Sequence, residues 1–364
     1  MKDNLIRYDD GEIYQILKNE IIDKVITIKE LSLYLNINIG TIKRWMQLKK
    51  VPKNYFIEIN KLINNKYRLD IDENTKYKVY DMFFTDNETA KELIEHTMSF
   101  ISKNYNLNFN DYTFLEPSAG DGSFYNIFPK EYKKIALDVE PKSEGIAKQD
   151  FFTFKPENNN KYIIIGNPPF GLRGQLALKF INYAASFTDF ICFVLPPLFN
   201  SNGKGSPMLR VDEKLKLVDE ISIKNDFYYP NKAKIKIHAI FQIWTKIENE
   251  KIKHKDIKNK KSEYIKVIAL SNGDDSSKKR NVKYLDQCDF YLPSTTFGEI
   301  RSEKCFEKLP NKRGYGIIIL KNKENILKYL ERIDWKKISF KSTNGANNLR
   351  TQLIIDALHN EMEN

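Results

Sequence analysis

Residues 163–171 read IIIGNPPFG. Three consecutive isoleucines predict a buried strand. Pro168 and Pro169 stop it. Neither carries a backbone N–H, both fix their own φ, and Pro168 pushes Asn167 away from helical geometry. The stretch predicts a stiff bracket at a strand end that presents Asn167 and Phe170 outward. A plain Pro-Pro strand terminator is the alternative reading.

Working outward, strands are expected at 112–116, 134–138, 161–165, 189–195 and 238–245. Helices are expected at 122–127, 174–187 and 211–221. This alternation predicts an α/β class, with a doubly wound, Rossmann-like sheet. Before it, DMFFTDNETAKELIEH places Thr85 and Glu88 at capping-box spacing, opening a helix with Ala90, Leu93 and Ile94 inward.

FLEPSAGDGSF (114–124) ends the first strand. Gly120 and Gly122 let the backbone turn tightly and approach a ligand. No GK[ST] follows, so this is not a phosphate loop, and the GxGxxG spacing of dinucleotide folds is absent. Glu116 at the strand tip suits a cationic group such as an ammonium. IALDVEP ends the next strand in Asp138, where a carboxylate can accept both hydroxyls of a ribose. QDFF then offers Asp150 and Phe151, suited to the amino group and the face of an adenine. In that order the three acids could read the amino acid, ribose and base of S-adenosylmethionine. Each acid alone is equally compatible with surface decoration.

The net charge of +11 is unevenly spread. Residues 1–70 hold 13 basic and 9 acidic side chains, 71–244 hold 21 and 22, and 245–364 hold 25 and 17. A neutral centre with basic flanks suits a catalytic core gripped to a polyanion. Compositional bias toward Lys, Asn and Ile is the alternative. In the first flank, TIKELSLYLNINIGTIKRWMQLKK has a capping-box pattern at Thr27 and Glu30, an apolar stripe of Ile28, Leu31 and Leu35, and a turn across Asn36–Gly40. A second helix near Thr41 buries Ile42 and Trp45 and leaves Lys43, Arg44 and Gln47 outside. The pattern resembles a helix-turn-helix; a plain helical bundle is the alternative. Residues 200–208 are expected to form a flexible loop carrying Lys204 near Arg210. Residues 248–283 read as polar and Lys-rich, with SNGDDSSKKR as an excursion. After them GYGIIILK predicts a strand and NILKYLERI a helix.

Three scattered cysteines without a CxxC pair and four histidines argue against structural zinc and against a disulfide framework. No metal is expected. The first residues lack signal-peptide features and no apolar run approaches membrane-spanning length, so a cytoplasmic location without a membrane partner is expected. Cytosine C5 methylation would need a Cys nucleophile, usually after Pro, and no cysteine here follows Pro.

EPSAGDGSF, DVEP, QDFF and GNPPFG together resemble the amino-group DNA methyltransferases that make N6-methyladenine, in their gamma-type arrangement. The resemblance covers about residues 80–246. It implies a class I methyltransferase sheet, S-adenosylmethionine as cofactor and double-stranded DNA as partner. It assigns Phe84, Thr85, Glu116, Ser118, Ala119, Gly120, Gly122, Asp138, Asp150 and Phe151 to the cofactor. Asp86 stands where family members often have Pro. The resemblance makes Asn167, Pro168, Pro169 and Phe170 the catalytic bracket. Asn167 and the Pro168 carbonyl would hold both hydrogens of a flipped adenine amino group, and Phe170 would stack on the base. Tyr229, before Pro230, would face the other side of the ring, a core aromatic being the alternative. Lys43, Arg44, Gln47 and Lys204 complete the expected substrate contacts.

The organisation expected is therefore a helix-turn-helix domain at 1–70, a methyltransferase domain at 71–247 and a small α+β target-recognition region at 248–364. A monomer is favoured, and a separate restriction endonuclease is a compatible partner. Rival readings are an RNA adenine N6-methyltransferase, a protein glutamine methyltransferase, and a DNA-binding regulator with a methyltransferase-like fold.

Overall fold

The computed structural model describes the chain except residues 1–4, 23–26, 36, 38, 202–205, 224–226, 253–260, 274–278, 343–344 and 364. Two compact units emerge, Met1–Phe83 with Tyr229–Lys232, and Phe84–Tyr228 with Ala233–Asn364.

The first unit is mostly helical: α1 (Asp10–Ile16), α2 (Ile28–Tyr34), α3 (Ile39–Leu48), α4 (Phe56–Lys61) and α5 (Glu73–Val79). Strands β1 (Leu5–Arg7) and β2 (Arg68–Asp70) pair in parallel. The Thr27 side chain accepts from the Glu30 N–H and Glu30 reaches back to the Thr27 N–H, a closed capping box at α2. On α3, Ile42 and Trp45 are buried, while Lys43, Arg44 and Gln47 are exposed.

The second unit opens with β3 (Phe84–Thr85) and α6 (Asn87–Asn104). The N-cap of α6 is Asp86, whose carboxylate accepts from the Glu88 and Thr89 N–H groups, not the expected Thr85. Thr85 is spent in β3, and a carboxylate at a helix N-terminus also meets the helix dipole favourably. Ala90, Leu93 and Ile94 turn inward as expected.

A seven-stranded sheet follows, built from β4 (Tyr112–Glu116), β5 (Lys133–Asp138), β6 (Ala147–Lys148), β7 (Lys161–Gly166), β8 (Phe190–Leu195), β9 (Lys216–Ile223) and β12 (Ala239–Thr245). Its order is β6-β5-β4-β7-β8-β12-β9, with β12 antiparallel to both neighbours and the first five strands parallel. Every residue of β8 and β12 is buried, as in sheets covered on both faces. Helix α7 (Gln175–Ala184) links β7 to β8 and packs Ala177, Leu178, Phe180 and Ile181 into the core. The chain steps outward from β4 through β5 to β6, then returns to the other side of β4 as β7. That reversal makes a topological switch point, and ligands of such sheets bind outside the carboxyl ends of the strands there.

Two expected helices are not formed. Residues 122–127 make successive turns, drawn back to the tip of β4 by the Glu116 carboxylate. Residues 216–223 are the edge strand β9, whose backbone pairs along its length with β12.

Short strands β10 (Phe227–Tyr228) and β11 (Lys234–Ile235) form a three-stranded sheet with β3. The C-terminal part holds a four-stranded antiparallel sheet of β13 (Ile265–Asn272), β14 (Lys279–Arg280), β15 (Phe290–Pro293) and β17 (Arg313–Ile319). Helices α8 (Lys323–Arg332), α9 (Trp335–Ile338) and α10 (Thr351–Glu363) share its core. Strand β13 lies inside the stretch expected to be merely polar, where IKVIALSN buries Ile265, Ile268 and Leu270. A small sheet joins β16 (Thr295–Thr296), β19 (Asn347–Asn348) and β18 (Phe340–Lys341). Strand β18 packs beside Pro197–Asn200, the turn leaving the carboxyl end of β8.

Candidate active site at the sheet switch point

The carboxyl ends of β4 and β7 carry the two motifs singled out in the sequence. After β4 the backbone turns through Gly120 at φ 53°, a left-handed conformation that an L side chain resists. The Ala119 N–H donates to the Leu137 carbonyl at 2.8 Å, and the Gly120 N–H donates to Asp138 at 2.7 Å. The other Asp138 oxygen accepts from the Glu140 N–H at 2.7 Å. Asp138 is thus fixed beside the glycine turn, half-exposed, with lone pairs remaining on both oxygens.

Glu116 is 2% exposed. Its carboxylate accepts from the Tyr125 N–H at 2.7 Å. Burial pushes this acid well above the usual carboxylate range; the N–H bond opposes the shift, and the charges of Asp121 and Asp138 add to it. Glu116 is therefore not offered outward to an ammonium as expected. It closes the turn after β4. Asp121 accepts from Ser123 at 2.8 Å and from the Tyr228 hydroxyl. Burial, with that bond next, pushes the Tyr228 phenol up to about 12.

Beyond β7, Asn167 is gripped at both ends. The Ser118 hydroxyl donates to its backbone carbonyl at 3.2 Å, and its side-chain Nδ2 donates to Thr85 Oγ1 at 3.2 Å. Its Oδ1 is buried and has no hydrogen-bond partner. Pro168 is buried and Pro169 half-buried. Phe170 is 5% exposed, so the bracket does not present it outward. The chain turns at Gly171, and the Phe170 carbonyl accepts from the Leu176 and Ala177 N–H groups at 3.2 Å, which draws the residue into the start of α7.

Strand β3 connects the two motifs. A Cβ on Gly120 would stand 2.5 Å from Phe84 Cε1, so the Phe84 ring lies directly on the glycine turn. Thr85 is 2% exposed and holds Asn167. Phe84 and Thr85 thus meet Gly120 and Asn167, and Ser118 holds Asn167 from the other side.

The third strand end diverges from expectation. Asp150 is exposed and accepts from the Phe152 N–H at 2.9 Å. Phe151 is 1% exposed and stacks on Phe180 at 5.1 Å within the aromatic core. Its ring is occupied by packing, so it offers no face to an adenine. Phe152, half-buried, is the aromatic nearer solvent.

Of the remaining expected contacts, Lys43, Arg44 and Gln47 lie exposed on α3 in the first unit. Tyr229 also belongs to that unit, is 6% exposed and packs against Tyr77 at 5.6 Å. Lys204 lies outside the described residues. Sequence reading missed Asp121 and Tyr228, 107 positions apart, which no local pattern links. It also missed Arg173, exposed just past the bracket at φ 54°, a rare setting for a non-glycine residue. Among the described residues no group of three His, Cys, Asp or Glu side chains could hold a metal, and no helix is long and apolar enough to cross a membrane.

No protein-family model matches the sequence, and no curated protein matches it significantly. Nineteen chains of solved structures align with it, among them three whose activities are themselves proposals. The first is a methyltransferase, yhhF, from Escherichia coli, at 14% identity and TM-score 0.28, over 43% of this chain and 87% of that one. The second is a modification subunit of a type I restriction enzyme from Vibrio vulnificus YJ016, at 10% identity and TM-score 0.32, over 78% and 71%. The third is a class I S-adenosylmethionine-dependent methyltransferase from Listeria monocytogenes, at 13% identity and TM-score 0.27, over 65% and 88%. Superpositions of that quality assign neither substrate nor family to this chain.

Proposed function

We propose that this chain is an S-adenosylmethionine-dependent DNA methyltransferase acting on the N6 amino group of adenine. One observation carries the reading: the buried, unpartnered Oδ1 of Asn167 at the carboxyl end of β7. A buried acceptor left without a donor costs about 1–3 kcal/mol, which favours a donor brought by a ligand. Pro168 and Pro169 have no N–H, so the bracket around Asn167 is rich in acceptors and poor in donors. That polarity suits an exocyclic amino group, which offers two N–H bonds. Asn167 Oδ1 takes one hydrogen and the Pro168 carbonyl takes the other. Holding both draws the nitrogen lone pair out of conjugation with the ring, an electrostatic contribution made by groups already in place.

The residues around the glycine turn fit the cofactor. When bound, S-adenosylmethionine supplies an electrophilic methyl group on a sulfonium. Asp138 would hold the ribose hydroxyls, Phe84 and Gly120 would flank the bound cofactor, and Asp150 would take the adenine amino group. Asp121 and Asp138, held beside the glycine turn, favour a cationic ligand there. Adenine must leave the duplex to reach Asn167. The helix-turn-helix reading of α2 and α3 and the basic region at 248–364 supply DNA contacts, the latter as target reader, in a restriction-modification setting. Phosphate contacts from these lysines make binding fall steeply with salt.

Mass spectrometry of nucleosides from DNA and RNA of a methylation-deficient host tests the reading. Expression should produce N6-methyladenine in DNA, lost with Asn167→Ala. Methylation confined to RNA would overturn the substrate.

A further inference from the structure

Two hydroxyls that the resemblance assigned to the cofactor are bonded to Asn167. Ser118 donates to its backbone carbonyl, and Thr85 accepts from its side-chain Nδ2, each at 3.2 Å. A carboxamide has one donor end and one acceptor end, and only the acceptor end suits an incoming amino group. With Nδ2 held by Thr85, Oδ1 is the end left over, and it is the buried atom without a partner. Turned the other way, the amide would set two donors against the two donors of the substrate.

Thr85 can do this because it sits on a fixed strand. It pairs with Phe227 across β3 and β10, while Phe84 pairs with Tyr228. The Tyr228 ring stands 5.7 Å from that of Phe84, and its hydroxyl closes on Asp121 in the glycine turn. The Phe84 ring rests on Gly120 in the same turn. Strand β3 is thereby fastened to the motif after β4 and reaches across to the motif after β7.

We infer that Thr85 is a positioning residue that sets the orientation of the catalytic amide of Asn167, with the Tyr228–Asp121 bond holding its strand in register. This rests on the proposed methyl transfer, but it gives Thr85 a different task from cofactor binding, and the two tasks separate experimentally. Misplacing a catalytic group slightly costs up to about 100-fold in rate.

The test uses the full chain with genomic DNA from a methylation-deficient host, tritiated S-adenosylmethionine for turnover and calorimetry for cofactor affinity. Thr85→Val, which keeps the shape and removes the acceptor, should lower kcat about 10- to 100-fold and leave cofactor affinity within about two-fold. Thr85→Ser should restore kcat. Tyr228→Phe should give a smaller loss of the same kind. Weakened cofactor affinity with unchanged kcat in Thr85→Val would overturn the inference, as would no change in either. The side-chain amide resonance of Asn167, assigned by its loss in Asn167→Ala, gives a readout independent of turnover. It should move in Thr85→Val and return in Thr85→Ser. Absence of turnover in the unaltered protein would defeat the proposed reaction, while an unmoved amide resonance would defeat the role of Thr85.

Discussion

The two strand ends that flank the switch point are built on opposite terms. After β4, the polar groups of the glycine turn and its flanking acids are largely satisfied from within. Glu116 takes the Tyr125 N–H, Asp138 takes those of Gly120 and Glu140, and Asp121 takes two hydroxyls. After β7, Asn167 is held firmly at its carbonyl and its Nδ2, and its Oδ1 is left without a partner. One end is a wall whose shape and charge are fixed in advance. The other holds back a single acceptor. The difference teaches where chemistry and where architecture reside, although both ends looked equally functional as motifs.

The largest effect expected from breaking this contrast is at Asn167. Asn167→Ala should cut methyl transfer at least about 100-fold, as for loss of one preorganised polar group. Its stability should stay within about 1 kcal/mol of the parent, since the substitution also removes an unsatisfied buried atom. A strongly destabilised but active variant would reverse the assignment of the two strand ends.

Phe151 should behave as architecture. Phe151→Ala should lose about 3–5 kcal/mol in denaturant unfolding, the usual range for a large core aromatic. Asp150→Asn should leave stability nearly unchanged. Loss of cofactor affinity without loss of stability in Phe151→Ala would return that ring to the ligand.

Gly120→Ala should cost about 1–2 kcal/mol from left-handed backbone alone, and its methyl would meet the Phe84 ring. Gly120→Ala should also weaken cofactor affinity in calorimetry, and adding Phe84→Leu should recover part of that loss. No recovery would mean that the ring and the turn act separately.

The smallest effect is a pH dependence at Glu116. Burial raises its folded-state pKa above the ordinary 4.5, so the folded chain retains that proton longer than the unfolded one. The associated stability is fully present below the ordinary value and is lost as pH rises toward the raised one. Glu116→Gln removes this titration, so its melting temperature should fall less than that of the parent as pH rises above about 4.5. Parallel profiles would show that Glu116 is not strained by its burial.

Much of the fold was legible because its signals are local. IIIG before two prolines marks a strand and its end, and Thr27 with Glu30 marks the start of α2. The glycine turn and the bracket could be found because Gly and Pro restrict the backbone wherever they stand. The strand at 216–223 was hidden by helix-compatible residues, and only pairing with β12 made it a strand. The aromatic core around Phe180 drew in Phe151, although QDFF alone gives no reason to choose it over Phe152.

The sequence by itself determined the α/β alternation, the strand ends and the residue types available at each. Those follow from side-chain periodicity and from backbone dihedrals that neighbouring residues restrict. Only the tertiary structure decided which polar atoms are satisfied. Thr85 and Asn167 are 82 positions apart, and Tyr228 and Asp121 are 107 apart. Bonds over such separations exist only once the sheet has assembled, because chain entropy keeps those groups apart until the packing of β4, β7, β3 and β10 brings them together.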